Sequence, residues 1–274
     1  MNWLDQTVGF FSPGAGLRRA RARATMNILH RGYEGARVGR RTEGWRTPGS
    51  GSNAEIAVAL PRLRDRSRDL VRNNPYAAKG VNALVGNLVG SGLKARARSG
   101  DAGLNDQADK LWTRFTAECD ADGRTDFNGL QALAARAMVE SGECLVRFRP
   151  RRTIDGLAVP LQLQVLEADH LDTLRSGEAM TGGFIHQGIE FDWLGRRVAY
   201  WLFPVHPGEL AGFRRGSLQS TRVPAADVCH VFERLRPGQE RGVPWFAPVI
   251  IKMRDLDEYD DAELVRKKIE ACFA

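Results

Sequence analysis

The side chains best suited to chemistry in this sequence are six acids close to its end. They are Asp255, Asp257, Glu258, Asp260, Asp261 and Glu263. Convergent carboxylates can bind divalent metals for phosphodiester hydrolysis, and Asp257 and Asp261 would share one helix face at a spacing of four residues. Such sites usually draw further acids from neighbouring strands, and the rest of the sequence offers no matching set. A charged interface is therefore the favoured interpretation, with a metal-dependent nuclease as the alternative.

Basic residues flank these acids, which suits an interface between charged helices. Lys252 and Arg254 precede the acids, and Arg266, Lys267 and Lys268 follow them. Opposite charges on adjacent helix faces attract each other across an interface. The predicted subunit-interface residues are Lys252, Arg254, Asp257, Glu258, Asp260, Asp261 and Glu263.

Motifs for other catalytic chemistry are missing from the sequence. It contains neither the GxxxxGK[ST] phosphate loop nor the GxSxG nucleophile elbow. The five histidines are dispersed, and Asp169-His170 follows a predicted strand, which indicates a turn rather than a catalytic pair. The four cysteines lack the CxxC spacing of metal sites. The sequence therefore predicts no catalytic residue, no bound metal and no cofactor.

The positive charge of the chain is concentrated in residues 1–50. This segment holds nine arginines and three acids, whereas the whole chain has a net charge of +7. These arginines could neutralise the phosphates of a nucleic acid or bind an acidic protein surface, and both interpretations stay open. The contact candidates are Arg18, Arg19, Arg21, Arg23, Arg37, Arg40 and Arg41.

Length and composition limit the class of protein. The chain has 274 residues, of which 43% are hydrophobic, so it can form one large or two modest domains with a core. This composition excludes a wholly disordered chain. No apolar run reaches the roughly 18 residues of a transmembrane helix, which excludes a membrane span.

Hydrophobic periodicity predicts a helical layer after the basic segment. One helix runs from Ala54 to the Asn73-Asn74-Pro75 break, and the next ends at Gly90-Ser91-Gly92. Two more are predicted near Leu104–Cys119 and after Asp126, whose side chain can cap a helix N-terminus. The glycines at residues 90 and 92 follow a helix rather than a strand, which argues against a dinucleotide-binding loop.

Alternating patterns predict β-strands, mostly in the second half of the chain. They cover Leu93–Arg98, Glu143–Arg149, Leu161–Leu166, Phe184–Trp193, Arg197–Phe203 and Asp227–Phe232. A final helical pattern runs from Trp245 to Ala274 with no capping residue, so we expect it to continue in a longer protein. The predicted fold class is α+β. We expect a flexible basic arm over 1–53, an α+β body over 54–251 and the start of a long helix over 252–274.

Several blocks of sequence, in this order, resemble the lambda-type portal proteins of tailed bacteriophages. The blocks are Arg64–Ala77 with Val89–Leu93, Glu140–Glu143, Leu166–Leu171, Val228–Phe232, Arg236–Trp245 and Asp255–Leu264. The resemblance runs from about residue 30 to the last residue. It covers the N-terminal half of such a protein, because members of that family are roughly twice as long.

The resemblance implies a structural, non-enzymatic subunit of a ring, usually of twelve copies, at one vertex of the capsid. Such a ring forms the channel for packaging and ejecting double-stranded DNA. It docks the terminase large subunit and the head–tail adaptor, and it contacts the major capsid or scaffolding protein. The expected location is the virion, after assembly in the host cytoplasm and without a membrane. Helix 252–274 would then lead toward a stem, and the arm would contact capsid or DNA. The remaining alternatives are the metal-dependent nuclease and a general nucleic-acid-binding protein using the arginines.

Overall fold

The computed structural model describes residues 10, 12–19, 21–22, 39–209 and 219–273. The chain divides into two compact units, residues 1–50 and 51–274. In the first unit, residues 13–19 are helical and Arg40–Thr42 form a 3-10 turn. Two of the predicted contact arginines, Arg23 and Arg37, lie outside the described residues.

The second unit begins with four helices and ends with a fifth. They are α1 (Ser52–Asn73), α2 (Pro75–Val89), α3 (Ala102–Glu118), α4 (Phe127–Ser141) and α5 (Ile250–Phe273). No helix in the described part of the chain has the length and hydropathy that a membrane span requires.

The corner between α1 and α2 forms where the sequence predicts it. Asn74 ends α1 in an extended conformation, and its side-chain oxygen accepts a hydrogen bond from the backbone N–H of Ala77 at 3.0 Å. Pro75 occupies the first position of α2, where the missing N–H has no cost. Gly90 then ends α2 with a φ of +54°. The predicted helix break and helix stop are both confirmed.

The strands between α4 and α5 form two antiparallel sheets. They are β1 (Glu143–Pro150), β2 (Leu161–Glu167), β3 (Gly177–Glu178), β4 (Phe184–His186), β5 (Ile189–Phe191), β6 (Arg197–Leu202), β7 (Thr221–Pro224) and β8 (Val228–Phe232). One sheet has the order β2-β1-β8 and the other β3-β4-β5-β6-β7, and all their pairings are antiparallel. The predicted α+β class is confirmed.

The first sheet is covered on both faces, because alternate residues of β1 point in opposite directions. Leu145 joins the core shared with the second sheet, where it packs with residues such as Tyr200. Val146 and Phe148 join a separate core with Phe115 of α3. A third core lies among α1, α2, α4 and the first turns of α5.

Four local predictions need correction. The final helix begins at Ile250 rather than at Trp245, because residues 245–249 form turns. Residues 93–98 form no strand, because side chains of α3 and α4 rather than another strand bond their backbone. The single strand expected at Phe184–Trp193 is a hairpin, since Gln187 and Gly188 both adopt positive φ and turn the chain. The apolar spacing of Ala77, Val81, Leu84, Val85 and Leu88 predicts one buried face on α2, but Leu84 is 38% exposed and Leu88 is 48% exposed.

The junction between α4 and β1 depends on a buried glycine. Gly142 has a φ of +90°, and a Cβ on it would lie 2.5 Å from the backbone carbon of Val243. Gly156 has a similar φ of +78°, but a Cβ there would meet nothing within 4 Å. The two glycines therefore separate the effect of backbone conformation from the effect of close packing.

We expect Gly142→Ala to destabilise the protein more than Gly156→Ala. The positive φ alone costs an alanine about 1–2 kcal/mol, which applies to both positions. The backbone clash at Gly142 adds about 1–3 kcal/mol more, as for overpacked sites generally. Chemical denaturation of both variants measures the difference. Equal losses at the two positions would show that the junction has room for a side chain.

Candidate functional site

The most highly connected group in the described residues is the carboxylate of Glu143, at the start of β1. Its side chain is fully buried. The guanidinium of Arg64 donates to it at 2.8 Å, and that of Arg241 donates at 2.5, 3.0 and 3.1 Å. His230 Nε2 lies 2.9 Å from Oε2, and the backbone N–H of Gly242 donates to the same oxygen at 2.8 Å. We call Glu143, Arg64, Arg241 and His230 the buried cluster.

The buried cluster joins parts of the chain that are distant in sequence. Arg64 comes from α1, His230 from β8, and Arg241 from the segment before α5. Four of the blocks that resemble portal proteins each contribute one residue to it. A fifth block contacts the buried cluster through Asp169, whose carboxylate lies 3.4 Å from the guanidinium of Arg64. Five of the six sequence blocks therefore meet at one point of the fold.

The electrostatics of the buried cluster keep Glu143 ionised. Burial alone would raise the pKa of Glu143, but the charge of Arg241 and the hydrogen bond to His230 outweigh it, so this pKa lies well below its usual range. Burial, together with the charges of Arg241 and Arg197, lowers the pKa of His230 more than its contacts with Glu143 raise it. His230 Nδ1 is buried without a partner in the described residues, which also favours the neutral ring with its proton on Nε2.

A second group of charged side chains lies around Asp169, next to the buried cluster. Arg68 Nη2 lies 2.6 Å from Asp169 and 3.2 Å from Glu167, and His206 Nε2 lies 3.1 Å from Glu167. Glu167, Asp169 and His206 are close enough to hold a metal ion. Arg68 already supplies a cation to both carboxylates, so the arrangement is that of an ion-pair network. Asp169-His170 forms a 3-10 turn after β2, in agreement with the predicted turn.

The predicted interface acids lie along the exposed helix α5. Asp257 accepts a hydrogen bond from Asn74 at 3.2 Å, which fixes the first turns of α5 to the α1–α2 corner. Glu258 pairs with Arg254 at 3.0 Å, and Glu263 pairs with Arg266 at 2.8 Å. Lys252, Asp260 and Asp261 are also exposed on this helix. The structure thus places all seven candidates on one element.

Helix α5 also exposes apolar side chains. Val265, Ile269 and Phe273 follow one another at a spacing of four residues and are 55%, 52% and 87% exposed. We call these three residues the apolar stripe. Near the other end of the helix, Ile250 and Met253 instead pack into the helical core. One helix is thus anchored at its start and exposes apolar surface further along.

The predicted contact arginines that the structure describes are all exposed. They are Arg18, Arg19, Arg21, Arg40 and Arg41. Arg40 and Arg41 lie together in the 3-10 turn. Their exposure is compatible with contact to a nucleic acid or to a protein surface.

Reasoning from residue types missed the buried cluster, although each of its residues was visible in the sequence. Glu143 and Arg241 are 98 positions apart, and no local spacing connects them. A polar residue at the start of an otherwise apolar strand, as in Glu143–Val146, was the available signal. The charge of Glu143 at a buried position requires partners from elsewhere in the chain.

We expect Glu143→Gln to destabilise the folded protein by about 3–5 kcal/mol, because it removes the carboxylate that neutralises the buried guanidinium of Arg241 and leaves Arg64 with Asp169 alone. Denaturant unfolding monitored by tryptophan fluorescence measures this loss. Glu178→Gln, on an exposed strand, is the matched control and should have little effect. A loss as small as that of the control would show that the buried cluster does not stabilise the fold.

The stability of the protein should also fall in mild acid. Because the pKa of His230 is lowered in the folded state, the unfolded chain binds more protons below about pH 6.5, and each bound proton favours unfolding. The loss is at most about 1.4 kcal/mol per pH unit for one group. Melting curves at pH 7.5 and 5.5 test this for the wild type and for His230→Gln, whose amide can still donate to Glu143. The variant should lose less stability between these pH values, and an equal loss would assign the effect to other groups.

Comparison with known proteins agrees with the sequence blocks. The family model described as phage portal protein, lambda family, matches residues 38–274. A probable portal protein of Halomonas phage phiHAP-1 is 29% identical over 253 residues, which cover 86% of this chain and 47% of that protein. The portal protein of Escherichia phage N15 is 24% identical over 262 residues, covering 89% of this chain and 48% of its own length.

These matches extend over nearly all of the chain, but the chain spans only about half the length of either relative. The family match starts in the basic segment and includes every residue of the buried cluster and the whole of α5. The chain belongs to the lambda family of phage portal proteins.

Proposed function

We propose that this chain is a structural subunit of a portal ring at one vertex of a phage capsid, with twelve copies as the expected number. The observation that carries the proposal is the exposed apolar stripe on α5 in a member of the portal family. Apolar side chains repeated along one side of a helix usually pack against another element. In a ring, that element belongs to the neighbouring subunit.

The charges of α5 support a head-to-tail contact of this kind. Ring closure requires two different surfaces that fit each other, rather than one surface that fits itself. The first part of α5 carries Asp255, Asp257 and Asp260, and the later part carries Lys267 and Lys268. An acidic region of one copy can therefore face a basic region of the next. The seven predicted interface residues are proposed to act in this contact.

The ring would act as the channel for double-stranded DNA during packaging and ejection. The remaining partners in this proposal are the terminase large subunit, the head–tail adaptor, and the major capsid or scaffolding protein. The basic arm over 1–53 would contact capsid or DNA, the body over 54–251 would form the wing, and 252–274 would begin the stem. The resulting particle is a virion component, assembled in the host cytoplasm.

The rival nuclease receives little support from the geometry of the acids. Asp257 contacts Asn74 of the body, whereas Glu258 forms an ion pair with Arg254 along the helix. Within the described residues, the group compact enough for a metal is Glu167, Asp169 and His206, which lies off α5. A general nucleic-acid-binding protein would use the arginines of the arm, but it gives no role to the apolar stripe.

Native mass spectrometry of the purified chain tests the proposal. We expect masses that are multiples of the protomer mass, and Ile269→Asp should shift them toward the monomer, because an aspartate in the apolar stripe must lose its hydration in the interface. Val58→Asp is the matched control, since Val58 is 86% exposed on α1 outside the proposed interface, and it should leave the masses unchanged. Both variants should melt like the wild type.

Two outcomes would contradict the ring. One is a wild-type chain that stays monomeric over the whole accessible concentration range. The other is magnesium-dependent DNA cleavage by the wild type that is lost in the double variant Asp257→Asn and Asp261→Asn. The second outcome would establish the nuclease instead.

A further inference from the structure

Residues 93–98 connect α2 to α3 as an exposed segment with the composition of a strand. Leu93, Ala95 and Ala97 alternate with Lys94, Arg96 and Arg98. Residues 92–99 run without helix, turn or bend, and no strand of the described chain pairs with them. Leu93 is 72% exposed. The segment therefore has the pattern of a strand, but no strand among the described residues pairs with it.

One edge of this segment is held by side chains of the helical layer. The backbone N–H of Leu93 donates to Gln131 of α4 at 2.8 Å, and that of Ala97 donates to Asp109 of α3 at 2.9 Å. The next odd residue, Ser99, donates to Asn105 at 2.7 Å. The bonded amides thus occur at odd-numbered positions, and they hold the segment against α3 and α4.

The other edge forms no hydrogen bond with the described residues. In an extended chain, the backbone groups of successive residues point to opposite sides. The N–H and C=O groups of Lys94, Arg96 and Arg98 therefore point away from the tethered edge, and no hydrogen bond to them occurs within the described residues. Their side chains also form no ion pair with a described residue. An unpaired edge of this kind is a template for another strand.

A groove lies beside the segment. Its volume is about 730 Å³, and its lining includes Leu93–Arg96 together with Trp112 of α3 and Phe127 of α4. The rings of Trp112 and Phe127 meet edge to face with centroids 5.3 Å apart. An apolar side chain of a partner could pack against these rings.

We propose that residues 93–98 bind an extended peptide of a partner protein by strand addition, and that this peptide alternates acidic and apolar side chains. The backbone of the peptide would pair with the free edge at Lys94, Arg96 and Arg98. Its acidic side chains would lie on the same face as these three cations, as cross-strand neighbours of opposite charge. Its apolar side chains would lie on the face of Leu93 and Ala95.

A peptide fits this surface better than a nucleic acid does. A phosphate backbone could use the three cations, but it has no hydrogen-bond donors for the carbonyl groups of the free edge. Asp109 and Asp126 also line the groove and would repel phosphates. Asp109 and Asp126 already accept backbone hydrogen bonds, from Ala97 and Gly129, so they do not need a ligand.

The test uses the full chain and a short fluorescent peptide of alternating glutamate and valine. We expect binding in fluorescence anisotropy, and about tenfold weaker binding for the triple variant Lys94→Glu, Arg96→Glu and Arg98→Glu. The same peptide with lysine in place of glutamate is the control and should bind poorly. Bound peptide should slow amide hydrogen exchange at residues 94, 96 and 98 more than at the tethered residues 93 and 97.

A pair of variants at one position tests the backbone contact. Arg96→Ala removes the charge but keeps the free-edge N–H, whereas Arg96→Pro removes both. We expect Arg96→Pro to bind about fivefold more weakly than Arg96→Ala, the effect of one lost hydrogen bond. Melting curves establish that both variants are folded.

Three results would overturn the strand-addition site: affinity unchanged in the triple variant, exchange unchanged on binding, or tighter binding of duplex DNA that the triple variant abolishes. The last would make the segment a nucleic-acid surface. None of these results depends on ring formation, so failure here would leave the proposed portal function standing.

Discussion

A carboxylate removed from water must be surrounded by hydrogen-bond donors, because the free energy lost with its hydration otherwise exceeds the free energy gained from packing. Glu143 meets this condition with two guanidinium groups, an imidazole and a backbone N–H. Its donors come from α1, β8 and the segment before α5. These three elements must therefore pack around Glu143 for its carboxylate to have all of its hydrogen bonds. This requirement fixes α1 against the first sheet, and the apolar core around Phe115 adds α3.

The position of α5 follows from the same contacts. Arg241 and Gly242 are bound to Glu143, and a few residues later the N–H of Trp245 donates to the carbonyl of Val139 in α4 at 3.1 Å. The chain therefore enters α5 from a fixed point, and Ile250 and Met253 continue the packing. Beyond these turns the helix exposes both charged and apolar side chains. A helix that is anchored at its start and exposed further along suits the contact with a neighbouring subunit that we propose for α5.

Local signals predicted the helices well, because residues at the helix ends mark those ends. Asn74 and Pro75 mark the start of α2, and Asp126 caps the start of α4. The strand pattern at Leu93–Arg98 was misleading, since side chains of α3 and α4 can hold an extended chain without a sheet. The sequence predicted that the candidate interface acids share one helix, but it could not show that Asp257 contacts Asn74, 183 positions away. The buried cluster was inaccessible for the same reason: local periodicity carries no information about partners so distant in the chain.

The junction of Gly142 with the segment before α5 also limits how the sequence can evolve. A Cβ on Gly242 would lie 2.1 Å from the carbonyl oxygen of Gly142, and a Cβ on Gly142 would meet the backbone of Val243. In both cases the obstacle is main chain, which every amino acid at the opposing position possesses. No compensating side-chain change nearby can therefore create the missing space. In a genetic screen, mutations at these two glycines should lack second-site suppressors in the opposing segment, whereas a clash between side chains could be relieved by shortening either one.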